Sequence, residues 1–469
     1  MMSAVATVVT LATIGVPALA GATTSGQWDP RLAPIARRVE TLRHLRFTHP
    51  VQAEFLPVAR FRKRVTADGA KTTRKQRKAL RVAEAELRAL GLVGGAFDLF
   101  RAINDVQGSS VLAYFDSDAK KIVVRGTKID AEARVTLAHE LTHALQDQHY
   151  DLDRIRRAAK TSGAQDAVLA LIEGDATRIE AKYYNGLSAK DQKAVDGAEG
   201  PNGPTSDTPS SPDLAKPDAA EGIVGAELDA PYALGPQMVG VILAANHRAG
   251  LAEVFGRPPR TQLEFLLPSE ALHRRALPAL ARPALARGAH RLAADQPDDF
   301  GAADLYFLLS SRVPASVALQ AADAWSNGKE LVSRSREGQV CVDLVLSART
   351  SAGARRMNRA LARWASRLPN VRLRSGAAGS RVHACDLGKE TTSPPNTATS
   401  ALAVAAIRAS LVSELVSSGA SGPVASCIGD RILDRPEFAI VAARTDAEPS
   451  PAEIDSVTAA VEDLIQVCR

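Results

Sequence analysis

The sequence predicts an α+β protein: a mainly helical region with one short β-hairpin, followed by a smaller α/β domain held by disulfides. Three observations carry this. Apolar residues recur mostly at helical spacing between positions 29 and 328. Two β-rich runs, "SVLAYFD" and "KKIVVRG", flank the turn-forming "DSDAK". Beyond "SNGK" the texture changes to alternating strands and helices that carry all four cysteines. A chain of 469 residues exceeds one core of typical size, so two or three domains are expected.

Taken in order, "MMSAVATVVTLATIGVPALAGATTSG" has no charge before Asp29, an apolar stretch of signal-peptide length, and an Ala18-Leu19-Ala20 tripeptide suited to cleavage before Gly21. Residues 1–20 are therefore expected to be a secretory signal, although a basic n-region is missing. Left uncleaved, the segment would act as an N-terminal membrane anchor. The expected location is outside the cell, and no later segment reads as a membrane span.

Residues 21–195 should form the first part of the helical region. They contain a helix at 29–44, an extended stretch through "FTHPVQAEFLP", a helix at 73–90 stopped by Gly91, the hairpin, and a helix from about Asp130. The basic connection "DRIRRAAKTSG" leads to another helix, "AQDAVLALIEGDATRIEAKYY". Residues 196–221, rich in Pro, Gly, Ser and Asp, are expected to be a flexible loop. Residues 222–328 continue the helical region, punctuated at "APYALGP" and "GRPPRTQ".

Residues 329–469 read as the separate C-terminal domain: strand "QVCVDLVLS", a helix at 351–367, strand "SRVHACD", a helix at 399–418, strand "FAIVAAR", and a last helix from 451. Cys341 is expected to pair with Cys385, and Cys427 with Cys468, because each pair brackets a strand-and-helix unit. No CxxC spacing suggests a structural zinc site. Net charge is only +6 and spread along the chain; "RKQRK" at 74–78 reads as a solvated helix face, and no nucleic-acid partner is expected.

The densest chemistry lies in "TLAHELTHALQDQHYDL", residues 136–152, which holds three of the nine histidines and a glutamate. On a helix His139 and His143 lie about 40° apart and roughly 6 Å along the axis, so both imidazoles can share one ion. Zinc is the metal that HExxH helices usually hold. Glu140 projects beside that face, where it could act as general base toward a water attacking a carbonyl. A catalytic zinc wants a third protein ligand. Glu173, a carboxylate in the near-apolar run "LALIEGDAT", is the favoured candidate, with Glu180 in reserve. Its helix shows a polar face of Asp166, Ala170, Glu173, Thr177 and Glu180 opposite a buried side of Leu169, Ile172, Ala176 and Ile179.

Gly174 would let this helix approach the histidine helix closely, and Asp147 or Asp175 could orient a ligand histidine from behind. His149, six residues after His143, offers a competing third ligand with metzincin spacing, but Gln146 stands where that pattern has glycine. If the helix continues, His149 lies about 240° round from His143 and cannot reach the ion. Tyr183, Tyr184, Tyr232, His247 and His273 are candidate donors to a developing oxyanion.

"HELTHA", with Asp147 four residues after the second histidine, resembles the active-site helix of thermolysin-like peptidases, and a glutamate ligand on a following helix resembles the gluzincins generally. The run "LAHELTHALQDQH" followed by "IEGDAT" is also similar to metallopeptidase-like secreted proteins of bacteria. The resemblance implies a zincin-like catalytic region with His139, His143 and Glu173 as ligands and Glu140 as base. It departs from the pattern at Thr177, where gluzincins often carry an acid, and it leaves the C-terminal domain unexplained. The expected function is a secreted zinc metallopeptidase acting on a peptide or protein substrate. A non-catalytic binding protein that keeps the fold is the alternative of a different class.

Overall fold

The computed structural model describes residues 26–66, 72–197, 219–273, 275–292, 299–392, 394, 398–442 and 450–469. The expected signal at 1–20 and positions 198–218 of the expected loop lie outside the described residues. The fold is α+β and mainly helical.

Helix α1 (Ala33–Arg43) leads to β1 (Gln52–Leu56), α2 (Val58–Val65) and α3 (Arg74–Ala89). In α3, Thr73 and Gln76 form a reciprocal capping box, and Gly91 takes the left-handed conformation (φ 67°) just past its end. After α4 (Leu99–Ser110), β2 (Ala113–Asp116) and β3 (Lys121–Arg125) form the expected hairpin. β1, expected only as an extended stretch, pairs in parallel with β3, so the three-stranded sheet runs β1-β3-β2 with β1 and β2 at its edges.

Helix α5 (Ala131–Tyr150) begins at Asp130, whose carboxylate accepts from the Ala133 N–H at 2.9 Å. It ends at Asp151, held at φ 53°, whose side chain caps the next helix, α6 (Leu152–Ala158). The basic connection is thus partly helical, because one residue both stops α5 and starts α6. Thr161 caps α7 (Ser162–Asn185), followed by α8 (Ala189–Gly197) and the long α9 (Ala219–Gly256). Pro231 and Pro236 lie inside α9, leaving the Glu227 and Tyr232 carbonyls without their usual helical donors.

Helices α10 (Gln262–Leu266), α11 (Ala302–Ser310) and α12 (Ala315–Asp323) complete the middle of the chain, with β4 (His290–Arg291) before α11. Then come β5 (Trp325–Arg334), β6 (Val340–Ala348), α13 (Ser351–Ala365), β7 (Val371–Gly376) and β8 (Gly379–Cys385). The second sheet runs β4-β5-β6-β8-β7 with antiparallel ladders throughout. The alternation expected to give an α/β domain is therefore an antiparallel sheet with a helix on it; β5 and β7 had no counterpart in the sequence reading. The chain ends with α14 (Ala398–Ser417), α15 (Gly422–Arg431), α16 (Pro436–Ala442) and α17 (Pro451–Cys468). "FAIVAAR", expected as a strand, begins α16 instead: Pro436 suits a first helical turn, and Phe438 is buried in the main core. Both expected disulfides are present, Cys341–Cys385 and Cys427–Cys468.

Two hydrophobic clusters organise these elements. The larger joins Leu87 and Leu90 of α3 and Leu305 and Phe307 of α11 to Leu344 of β6, Trp364 of α13 and Leu464 of α17. It crosses position 329 without a break, so the expected separate C-terminal domain shares its core with the helices before it. The smaller cluster packs α1, the three-stranded sheet and the apolar stripe of α5. Helix α7 belongs to both: Ala167, Leu171 and Ile172 enter the large cluster, Ile179 and Tyr183 the small one. Its expected polar face is buried over Asp166 and Glu173, each 5% exposed, while Thr177, Glu180 and, on the opposite side, Leu169 are only partly covered.

One helix, contrary to expectation, is long and apolar enough for a membrane span: residues Ser400–Ser417 of α14, mean hydropathy 1.5. Half of that window is buried inside the protein. Arg408 on it is wholly buried, donating to Asp323 at 2.5 Å and to the Leu266 carbonyl at 2.8 Å. These contacts make it a core helix of this fold.

Where α3, α7, α9, α11 and β5 meet, Glu86, Asp166, Glu227, Asp304 and Glu330 are all buried. Gln262 donates to Asp166 at 2.7 Å, while neither carboxylate oxygen of Glu227 has a hydrogen-bond partner among the described residues. Burial, reinforced by neighbouring carboxylates, pushes Glu86 up to about 7, and Asp166 and Glu227 up to about 8. In the unfolded chain such groups ionise near pH 4, whereas in the folded one they keep their protons to about pH 7–8. Their contribution to stability is therefore whole below about pH 4 and lost as pH rises through about 8. Glu227→Gln is expected to gain at least about 2 kcal/mol on the wild type between pH 6 and pH 9 in denaturant unfolding. Parallel stability curves for the two proteins would show that Glu227 does not titrate in this way.

Candidate metal centre

Helices α5 and α7 run antiparallel at the seam between the two clusters. His139 and His143 stand one turn apart on α5, their ring centroids 4.6 Å apart and their planes at 81°. Both Nε2 atoms face the same carboxylate oxygen of Glu173, at 3.2 Å from His139 and 3.1 Å from His143. All three residues are buried, and their ligating atoms lie within 4.8 Å of one another. The structure thus brings together the three residues expected as ligands.

The far side of each imidazole is also held. His139 Nδ1 lies 2.9 Å from Glu180 Oε2. Glu180, expected as a reserve ligand, thus orients His139 from behind; it lies two turns after Glu173 on the same face of α7. His143 Nδ1 lies 3.2 Å from Gln146 Oε1. The Gln146 amide is fixed by its own donors, which reach the Ile172 carbonyl at 3.1 Å and Asp175 at 2.9 Å. Asp175 also accepts from Arg43 of α1 at 2.8 Å. Asp175 therefore acts on the histidine through Gln146 rather than by direct contact.

Acceptors behind both rings favour a proton on each Nδ1, which would leave Nε2 as the ligating atom toward a bound ion. The two Nε2 atoms and the Glu173 carboxylate converge on one point, and the Tyr232 hydroxyl is also hydrogen-bonded to Glu173. The group can hold a metal ion. Without an ion, charge is kept in the same sense. Burial opposes the imidazolium of His139, but Glu173 and Glu180 outweigh it and hold its pKa well above the ordinary value. Burial likewise opposes ionisation of Glu173, and the two histidines outweigh it and push its pKa far down.

Glu140 is next to the centre and buried, at 7% exposure. Its Oε2 accepts from the Phe115 N–H of β2 at 2.7 Å. Burial raises its pKa, partly offset by His143 and His139. Tyr232 of α9, a residue 46% exposed, stacks beside His139 at 6.2 Å between centroids. The carboxylates of Glu173 and Glu140, together with burial of its hydroxyl, push its pKa well above the ordinary phenol value.

Other expected residues are placed elsewhere. Because α5 continues to Tyr150, His149 points away and its Nε2 meets the Arg46 carbonyl at 2.7 Å, not the centre. Asp147 pairs with Lys120 at 2.7 Å and accepts from the Leu152 N–H, so it fastens the hairpin turn and α6 rather than a ligand histidine. Tyr183 is buried in the smaller cluster, Tyr184 donates to Asp196 at 2.6 Å, and His273 adjoins Gly422. The His247 side chain lies outside the described residues.

Gly174 serves a different contact from the one expected. A Cβ there would lie 2.3 Å from the Gly235 carbonyl carbon, and one on Gly235 would lie 2.2 Å from the Ala170 oxygen. The glycine pair lets α7 and α9 touch backbone to backbone, next to Glu173 and Tyr232. Gln146 is the one residue of the centre that carried no expected role beyond breaking a pattern; its i,i+3 spacing from His143 is the signal that points to it. No family model matches the chain, and no curated protein or solved structure does either.

Proposed function

We propose that the protein is a zinc-dependent peptidase of gluzincin type that acts on peptide or protein substrates outside the cytoplasm. The observation that carries this reading is the convergence of His139, His143 and Glu173 on one point, beside a buried carboxylate, Glu140, that the ligand set does not need. Zinc suits a set of two imidazoles and one carboxylate with a further position left for water or substrate. When bound, such an ion supplies Lewis acidity, polarising a carbonyl and making water acidic near neutral pH. Two disulfides fit an oxidising compartment.

The chain's own groups would then divide the work. Glu140 takes a proton from the attacking water on the oxygen that Phe115 does not hold, and delivers it to the leaving amine. Tyr232, whose hydroxyl is hydrogen-bonded to Glu173, stands where it can donate toward the oxyanion as it develops. β2 pairs only with β3 among the described strands, so its outer edge offers main-chain groups to an extended substrate beside Glu140. The second reading, a non-catalytic scaffold that keeps the metal, has no use for a buried base at this position. Glu140→Gln separates the two, since a peptidase loses hydrolysis and keeps its metal, while a scaffold shows no hydrolysis to lose.

A further inference from the structure

Among the described residues one more set of ligating atoms comes within 4.8 Å of one another: Cys341, His383 and Cys385. They lie on neighbouring strands of the second sheet. Cys341 pairs directly across from Cys385, and Asp343 directly across from His383, so two adjacent cross-strand pairs share one face of the β6/β8 ladder. This face is opposite the one where Val342, Val382 and Ala384 join the core with α13. His383 Nε2 lies 3.4 Å from the Cys385 sulfur, and His383 Nδ1 lies 2.7 Å from Asp343 Oδ1. Asp343 thus sets the imidazole so that its second nitrogen faces the sulfurs. The His383 side chain is 38% exposed, which gives solutes a way in. Cys427–Cys468 belongs to no such set among the described residues.

We propose that the Cys341–Cys385 disulfide is the closed form of a second metal site, which opens on reduction to bind a thiophilic divalent ion such as Zn2+ through Cys341, Cys385 and His383. A dithiol reductant supplies two electrons and two protons: the S–S bond breaks, two thiols form, and the reductant becomes a disulfide. Ion binding then releases both thiol protons, and the two thiolate charges neutralise the divalent cation. Two sulfurs and one imidazole make a soft set that favours Zn2+ over Ca2+ or Mg2+. Asp343 is a positioning residue, holding the proton at His383 Nδ1 so that Nε2 is free to ligate. In the oxidised chain the same sulfurs are bonded to each other, so metal binding and the disulfide exclude one another. None of this depends on the peptidase reading.

The test is a Co2+ titration of the full chain, oxidised and after reduction with a phosphine, followed by the thiolate-to-cobalt charge-transfer absorption. The His139, His143 and Glu173 group has no sulfur and gives no such band, so the two centres are read separately. The expected result is a band in the reduced protein only, retained in the C427S/C468S variant, whose only thiols are the proposed ligands. Competition with Zn2+ should show affinity weakened by at least about tenfold in His383→Ala and by about tenfold in Asp343→Asn. A reduced wild type with four titratable thiols and no band would overturn the proposal. So would a band that His383→Ala leaves at full strength and affinity.

Discussion

Glu140→Gln is expected to lower kcat for peptide hydrolysis by at least about a hundredfold while leaving the bound metal in place. Gln keeps the shape of the side chain and an acceptor for the Phe115 N–H at 2.7 Å, so the local packing has no reason to change. What it loses is the ability to take and return a proton. KM should move little, because the change acts on the step rather than on substrate contacts. The measurement is kcat and KM on a peptide substrate, paired with metal content of the same preparation. Full activity in the metal-loaded Gln variant would remove Glu140 from the mechanism.

Gly235→Ala should be the most damaging of the conservative changes near the centre. Its Cβ would fall 2.2 Å from the Ala170 carbonyl oxygen, which is backbone and cannot swing aside, so α7 and α9 must separate. Overpacking of this kind costs about 2 kcal/mol or more, and the shift carries Glu173 and Tyr232 away from the histidines. Metal affinity should fall together with stability. Gly225→Ala on the same helix is the control: nothing lies within 4 Å of its added Cβ, so it should be neutral or stabilising by up to about 1 kcal/mol. Equal unfolding midpoints for the two variants would show that the close crossing is not needed.

What could be read before folding was what is local. The i,i+4 spacing of His139 and His143 follows from helix geometry, and Asp130 marks the helix start by its capping chemistry. The hairpin was legible from its turn, and the disulfide partners from the elements they bracket. Glu173 stood out because a carboxylate in an apolar run needs a partner.

What escaped depends on which element lies opposite. Gly174 was recognised as a close-approach residue, but its neighbour is α9 rather than α5, and no local pattern names the neighbour. Asp147 sits well for a histidine by spacing alone, yet Lys120 on the hairpin turn claims it. Glu180 and Gln146 orient the two imidazoles only because α5 and α7 run antiparallel in this register. Residues from α3 and α11 fill the same core as the second sheet, a contact across position 329 that no local pattern names.

The most direct test is metal analysis of the purified chain after exchange into chelator-free buffer with zinc supplied, with His143→Ala and Glu173→Ala measured alongside under oxidising conditions. About one zinc per wild-type chain is expected, lost in both variants, with His149→Ala unchanged because that ring faces Arg46. Stoichiometric zinc that survives Glu173→Ala, or a well-folded wild type that binds none, would contradict it.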